Sequence, residues 1–564
     1  MPEQSSTLIG HVIDIQGNIL TASLIEDEQG RPPKVTIGDE DILVGQLGSY
    51  VSVIQGNIKI LALITRMTEQ EKLPPLTQGD SSADSIRLSY AQRIVNLVPI
   101  GSIKEDGVFE RGVSTYPTTG AEVHAVGSSD IDVMFSKFRS KQYDVGNLSS
   151  HPTLTVCLDP TSLFGRHFTI LGQTGAGKSW TVANLVQRAV AVMPKAHIII
   201  LDLHGEYSWT DDDNNRHSAF DDSIFRYVDA RQLEIPYWLM TFLELCDLLI
   251  DRTEFSAHNQ LAVFRDAVND LKAIEGKALG LKRTTLDTPI FFDLMKLREI
   301  VDSKNGLVLN PKTGNMIKGT LTGAFDNFLM RLDSRLEDNR YDFLLKPKVR
   351  ISSDTLSLLL RDFVGLGNPK RPVTVIDLSS VPFDVRPTVS AQIGRLAFEF
   401  NYWNPQYREF PLLLICEEAH AYIPRESQSQ FAGSRKSMER IAKEGRKYGV
   451  GLGVVSQRPH EVSETVLAQC GTFLCLRITN PSDQNYVRSL VPESERDLVD
   501  ILAGLGRGEA MALGEAVPLP TRLQFYKPNP KPNSEDIDFY SKWKDGPDDI
   551  NVDEIVNRWR RQER

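Results

Sequence analysis

Short apolar runs of strand length, LIGHVIDI and NIKILALI among them, fill residues 8–67 and are separated by Gly-containing turns such as Ile54-Gln55-Gly56-Asn57. β-branched residues suit pleated strands, and Gly supplies the positive φ that tight turns need. The region predicts a small β-barrel. A polar stretch from Thr68 to Asp84 predicts a long loop, after which IRLSYAQRIVNLVPIGSI and the segment from Tyr116 to Val126 return to strand character in the same barrel.

From about Thr155 the pattern changes to strands alternating with helices, which predicts an α/β layer with a mostly parallel sheet covered on both faces. The strands read as Phe168 to Leu171, His197 to Leu201, Val373 to Leu378, Leu412 to Cys416, Gly451 to Val455 and Phe473 to Ile478. Between the second and third lies a long helical interruption, in which Leu261, Phe264, Val268 and Leu271 recur at spacings of three and four. That is the stripe of an amphipathic helix facing a bundle core. After Pro518 the chain turns Pro-rich and acidic and closes on a short candidate helix near Val552 to Arg561. The expected layout is a barrel over 1–150, an α/β core over 151–235 and 346–517, a helical-bundle insertion over 236–345, and a C-terminal tail or brace over 518–564.

Composition narrows the class. Hydrophobic residues are 41% and charged residues 24% of the 564, which excludes wholesale disorder. The net charge of −11 argues against a protein that coats nucleic acid or an anionic membrane with its whole surface. No apolar run reaches the roughly 18 to 20 residues of a membrane helix and the N-terminus lacks signal-peptide character, so a cytoplasmic protein with no membrane partner is expected. Cys157, Cys246, Cys416, Cys470 and Cys475 are dispersed with no C-x-x-C pair, the pattern of reduced, buried thiols.

The strongest chemical signal is Gly172-Gln173-Thr174-Gly175-Ala176-Gly177-Lys178-Ser179, which satisfies G-x-x-x-x-G-K-[ST], follows a predicted strand and opens a helix at Trp180. Glycines let backbone N–H groups wrap phosphates, Lys178 reaches the β and γ oxygens, and the Ser179 hydroxyl binds Mg²⁺. The expected ligands are ATP and Mg²⁺. Hydrolysis needs carboxylates on a second strand, and Leu412 to Cys416 ends in Glu417 and Glu418. Glu417 takes the position where such ATPases usually carry a metal-holding Asp, with one methylene more, and Glu418 is placed to polarise the attacking water.

Two further strand ends belong to the same edge, because ligands of open α/β sheets gather at the carboxyl ends of the strands. One is Asp202-Leu-His-Gly-Glu-Tyr207. The other is Ser456-Gln457-Arg458-Pro459, where the Gln457 amide is suited to sense a γ-phosphate. Between Arg425 and Tyr448 seven basic residues face three acids. Lying between the carboxylate and sensor strands, this stretch is expected near the active edge, as an arginine finger for a neighbouring subunit's ATP or as phosphate contacts to DNA.

With LGQTGAGKSWT, LDLHGEYS, VIDLSSVP, CEEAHAYIP, RIAKEGRKYGVGLGVVSQRP and LRITNPSDQ in this order, the sequence resembles the HerA family of hexameric DNA translocases, in the HerA and FtsK branch of RecA-like P-loop ATPases. The resemblance implies a RecA-like core behind an ATP-synthase-type barrel, a homo-hexameric ring with ATP between subunits, and double-stranded DNA through the central pore. Carried over, it puts Lys178 and Ser179 on the triphosphate and Mg²⁺, Glu418 on the water, and Gln457 as sensor. Arg446 becomes the trans-acting arginine with Arg440 as fallback, and Arg166 and Trp180 further nucleotide contacts.

The same resemblance implies an effector subunit, a NurA-type or other nuclease or a sirtuin-like NADase, docked at the barrel, in DNA end processing or antiphage defence. The alternative reading is an ATP-binding ring scaffold that activates such an effector with little translocation. A ring that threads DNA needs positive charge only along its channel, which reconciles the acidic net charge with a DNA substrate.

Overall fold

The computed structural model describes residues 7–26, 35–37, 40–42, 46–72, 90–211, 215–309, 315–426, 432–547 and 549–561. The chain forms two compact units, one from residues 1–193, 454–460 and 467–531, the other from 194–453, 461–466 and 532–564.

In the first unit, six strands close the expected barrel in the order Ile19–Leu24, Leu8–Gln16, Glu122–Ala125, Tyr50–Gln55, Ile58–Lys72, Tyr90–Ile103. The last pairs back onto the first, Leu20 facing Leu97. Alternate residues such as Val51, Val53, Ile60, Ala62 and Ile64 point inward and form the barrel core. Gly56, at φ +59°, makes the turn between Gln55 and Ile58. The strand Ile58–Lys72 runs on through the start of the stretch expected as loop, and residues 73–89 lie outside the described ones.

The same unit carries a sheet in the order His151–Cys157, Asp144–Leu148, Thr521–Phe525, Glu509–Gly514, Thr472–Cys475, Phe168–Leu171. Only the last pair is parallel. This half of the α/β layer therefore departs from the mostly parallel expectation. Asp144–Leu148, within the first 150 residues, and Thr521–Phe525, within the expected tail, are paired with each other here. Tyr50 of the barrel donates its buried hydroxyl to the Pro520 carbonyl at 2.8 Å, beside that pairing.

The second unit holds the parallel part, in the order Leu412–Cys416, Ile198–Asp202, Val373–Asp377, Phe225–Asp229. The first three are buried along their whole length, which is why they read as continuous apolar runs. The helices Arg386–Tyr402 and Ala432–Glu444 pack closely at Gly394, where a Cβ would stand 2.8 Å from Cε of Met438. The strand Val450–Ser456 leaves this unit at Gly453 and enters the first at Val454.

The insertion is helical as expected, with Phe242–Leu249, Ala257–Ala278, Leu294–Asn305 and Asp326–Glu337, and a short hairpin of Leu307–Leu309 with Met316–Lys318 that no apolar alternation announced. Of the predicted stripe, Phe264 and Val268 are buried and Leu261 and Leu271 half-buried. The C-terminal helices Phe539–Asp545 and Val552–Arg561 contain no buried residue. All five cysteines are buried free thiols.

Candidate nucleotide site

In the first unit the strand Phe168–Leu171 delivers the chain to the loop Gly172–Gly177, and the helix Lys178–Val192 leaves it. Gly175 and Gly177 have φ of +75° and +105°, backbone that side-chain-bearing residues rarely adopt. At Gly177 a Cβ would also stand 3.1 Å from the Gly508 nitrogen, and at Gly172 it would stand 2.9 Å from Cβ of Leu476. The first N–H groups of the helix have no partner inside it, and its dipole adds positive potential at that end. Lys178 and Ser179 are buried there. A loop with no room for a Cβ at Gly172 and Gly177, opening the N-terminus of a helix that carries an amine and a hydroxyl, fits a triphosphate and its Mg²⁺.

Both side chains between the loop's first two glycines are held from within the same unit. Thr174 donates its hydroxyl to Oε1 of Gln457 at 2.6 Å, a residue 283 positions away. Gln173 accepts at Oε1 from the Thr479 hydroxyl at 2.6 Å and from its N–H at 3.2 Å. Trp180 lies under the Arg507 guanidinium, 4.7 Å from the ring centre, and the Lys531 ammonium, at 5.4 Å. Arg166 is not brought to this loop. It stands at the N-terminal end of Phe168–Leu171, paired with Glu515, a strand's length of about 13 Å from the phosphate cradle.

In the second unit, the strand Leu412–Cys416 ends in the two glutamates. Glu417 is buried and accepts a hydrogen bond from the Tyr207 hydroxyl, while Tyr422 donates to its carbonyl at 2.9 Å. Burial raises the Glu417 carboxyl well above the usual range, the nearby Glu206 charge adds to this, and the Tyr207 bond pulls the other way. Glu418 has φ +47° and ψ +47°, left-handed backbone that is strained for a side-chain-bearing residue. Its Oε2 lies 3.3 Å from His420 Nδ1. Asp202 is buried and accepts from the N–H groups of His204, Gly205, Glu206 and Tyr207, at 3.2, 2.9, 3.1 and 2.9 Å. It folds the loop that carries Tyr207 back over the sheet edge, and His204 points to solvent.

The later part of the basic stretch departs from the expectation that it emerges at the active edge. The helix Ala432–Glu444 carries it back to the start of the next parallel strand, as a crossover must. Arg446 therefore sits in the turn Gly445–Tyr448 at the N-terminal end of Val450–Ser456, where the Gly449 carbonyl accepts from Leu412 N–H at 2.8 Å, and it is exposed. Arg440 is engaged within the unit, 4.2 Å from the Phe398 ring centre and 5.5 Å from that of Tyr402, with Glu444 at 3.9 Å.

Tyr207, Thr479, Arg507 and Lys531 were not singled out by sequence. Tyr207 and Thr479 lay inside the quoted motifs, and only the fold reveals what they touch.

Residues 143–397 match the family described as Helicase HerA, central domain. Over these residues the chain is similar to the HerA helicases. It is 27% identical over 533 residues to the DNA double-strand break repair helicase HerA of Sulfolobus acidocaldarius, covering 91% of this chain and 95% of that one. To the protein of the same name from Pyrococcus furiosus it is 29% identical over 408 residues, covering 68% and 69%. Among solved structures, VirB4 of Thermoanaerobacter pseudethanolicus superposes with a TM-score of 0.44 at 17% identity, over 68% of this chain and 96% of that one. With its phosphate loop between strand and helix and this similarity, the chain is a P-loop ATPase. No helix among the described residues is long and apolar enough to cross a membrane.

Proposed function

We propose that the protein is an ATP-driven motor on double-stranded DNA, a homo-hexameric translocase with ATP bound between subunits and DNA in its central pore. It is the motor subunit of a complex with a nuclease or other effector held at the barrel. The observation that carries this reading is the Thr174 to Gln457 hydrogen bond, because it ties the phosphate loop to the strand end read as sensor. The relatives named as DNA double-strand break repair helicases supply the substrate class.

In this reading the loop N–H groups and Lys178 hold the triphosphate, and Ser179 and Glu417 are the candidate ligands of Mg²⁺, which would supply charge neutralisation on the phosphate oxygens when bound. Glu418 orients and polarises the attacking water, and its strained backbone supports that role. Gln457 reports the γ-phosphate through Thr174. Arg446, exposed at the N-terminal end of its strand, reaches the ATP of a neighbouring subunit. Arg166, at the same end of its own strand, serves a neighbour's nucleotide rather than its own.

The test is ATP hydrolysis with and without linear double-stranded DNA, together with triplex displacement as a measure of translocation. DNA should stimulate the wild type, and Glu418→Gln should bind ATP and DNA while neither hydrolysing nor displacing. If DNA leaves hydrolysis unchanged and Glu418→Gln still activates the co-purified effector, the ring is a scaffold and the motor reading falls.

A further inference from the structure

Gln457 is followed at once by a turn whose His460 reaches a second element. His460 Nδ1 donates to Oδ1 of Asp483 at 2.6 Å, and the Asp483 side chain is only 7% exposed. Asp483 lies in the first turn of the helix Pro481–Leu490, whose cap Asn480 accepts from Ser482 N–H at 2.8 Å. Just ahead of that cap stands Thr479, with both its donors on Gln173. Gln484, the next residue after Asp483, donates to the Ile478 carbonyl at 2.8 Å and closes the segment on itself.

The two nucleotide-loop side chains therefore end on one short stretch, Thr479–Asp483. Gln173 is held by it directly. Thr174 is held through Gln457 and the His460 turn. A buried carboxylate in the first turn of a helix is helped by the helix dipole, but a dipole alone does not call for an imidazole from a distant segment. The imidazole adds a charge-assisted bond that fixes the turn carrying Gln457.

We propose that Asp483 is a positioning residue for ATP hydrolysis: through His460 it sets the place of Gln457, and hence of Thr174, against the γ-phosphate. The proposal rests on the reading of Gln457 as sensor. Asp483 touches no reacting atom, so its loss should lower turnover without loosening ATP. Misplacement of a catalytic contact by a remote change can cost about tenfold to a hundredfold in rate.

The experiment compares Asp483→Asn, His460→Ala and the double variant in steady-state hydrolysis, with thermal melting and binding of a fluorescent ATP analogue measured alongside. Each single variant should lose about tenfold or more in kcat with KM for ATP within about twofold, and the double variant should be no slower than the slower single one, because both remove the same bond. His460 is partly exposed, so its variant tests the bond even if the buried Asp483 variant folds poorly. Wild-type turnover in His460→Ala, or losses that multiply in the double variant, would overturn the proposal. Gln457→Ala separates the two layers. If it is slow while the Asp483 and His460 variants are normal, this inference alone fails. If Gln457→Ala hydrolyses at the wild-type rate, the sensor reading fails and takes this inference with it.

Discussion

The Tyr207 hydroxyl donates to the Glu417 carboxylate across 210 residues of sequence. The two strands that lead to these residues, ending at Asp202 and Cys416, are parallel neighbours, Leu201 facing Cys416, and the backbone wrapped around Asp202 turns Tyr207 back over the edge. Burial raises the Tyr207 hydroxyl as well as the Glu417 carboxyl, so the phenol keeps the proton that it donates to Glu417. Tyr207 thereby fixes the rotamer of the carboxylate proposed to hold Mg²⁺. Partners one step removed from a metal ligand typically govern its affinity by about tenfold to a hundredfold. Tyr207→Phe should therefore raise the Mg²⁺ concentration for half-maximal hydrolysis about tenfold while ATP still binds. An unchanged Mg²⁺ dependence would show that Glu417 does not serve the metal.

Arg440 and Arg446 make opposite predictions although they are six positions apart. Arg440 is stacked on Phe398 and near Tyr402, so Arg440→Ala should lower the melting temperature and leave hydrolysis largely intact. Arg446 is exposed in the turn before its strand, and Arg446→Ala should cut hydrolysis by about a thousandfold or more with ATP binding spared. Mixing subunits checks the direction of action. Inactive Arg446→Ala and inactive Lys178→Ala subunits should regain activity when assembled together, because an intact finger can then face an intact loop. A mixture as dead as its parts would place the finger elsewhere.

What the sequence made legible follows from how local each signal is. Phe168–Leu171 and Leu412–Cys416 are fully buried parallel strands, so their apolar runs, ended by a glycine loop and two acids, announce both element and chemistry. Glu509–Gly514 and Thr521–Phe525 are short, separated by two prolines, and the second alternates with Arg522 and Gln524. Nothing in that stretch distinguishes a strand from a tail until its partner Asp144–Leu148 is in place. The position of Arg446 was open to arithmetic, since a helix of 13 residues spans about 20 Å and returns the chain across the whole sheet. The Tyr207 to Glu417 and His460 to Asp483 pairs were not, because each joins residues whose proximity is set by the packing of whole elements.

Asp202 gives a prediction for stability rather than rate. Burial outweighs the backbone donors that favour its charged form, Asp377 adds like charge, and its carboxyl is pushed up to about 7. In an unfolded chain the same group titrates near about 4. Between those values the folded protein keeps a proton that the unfolded chain has released, so the contribution of Asp202 falls as pH rises from about 4 to about 7 and is level above that. Asp202→Asn keeps an oxygen for the His204, Gly205 and Glu206 N–H groups, puts an amide nitrogen where one carboxylate oxygen accepts from Tyr207, and does not titrate. The variant should melt below the wild type at both pH 5 and pH 7.5, with a gap that is wider at pH 5, because there the wild-type site holds its neutral acid without ionic cost. A gap of equal size at both values would mean that Asp202 is ionised throughout and that the backbone donors outweigh burial.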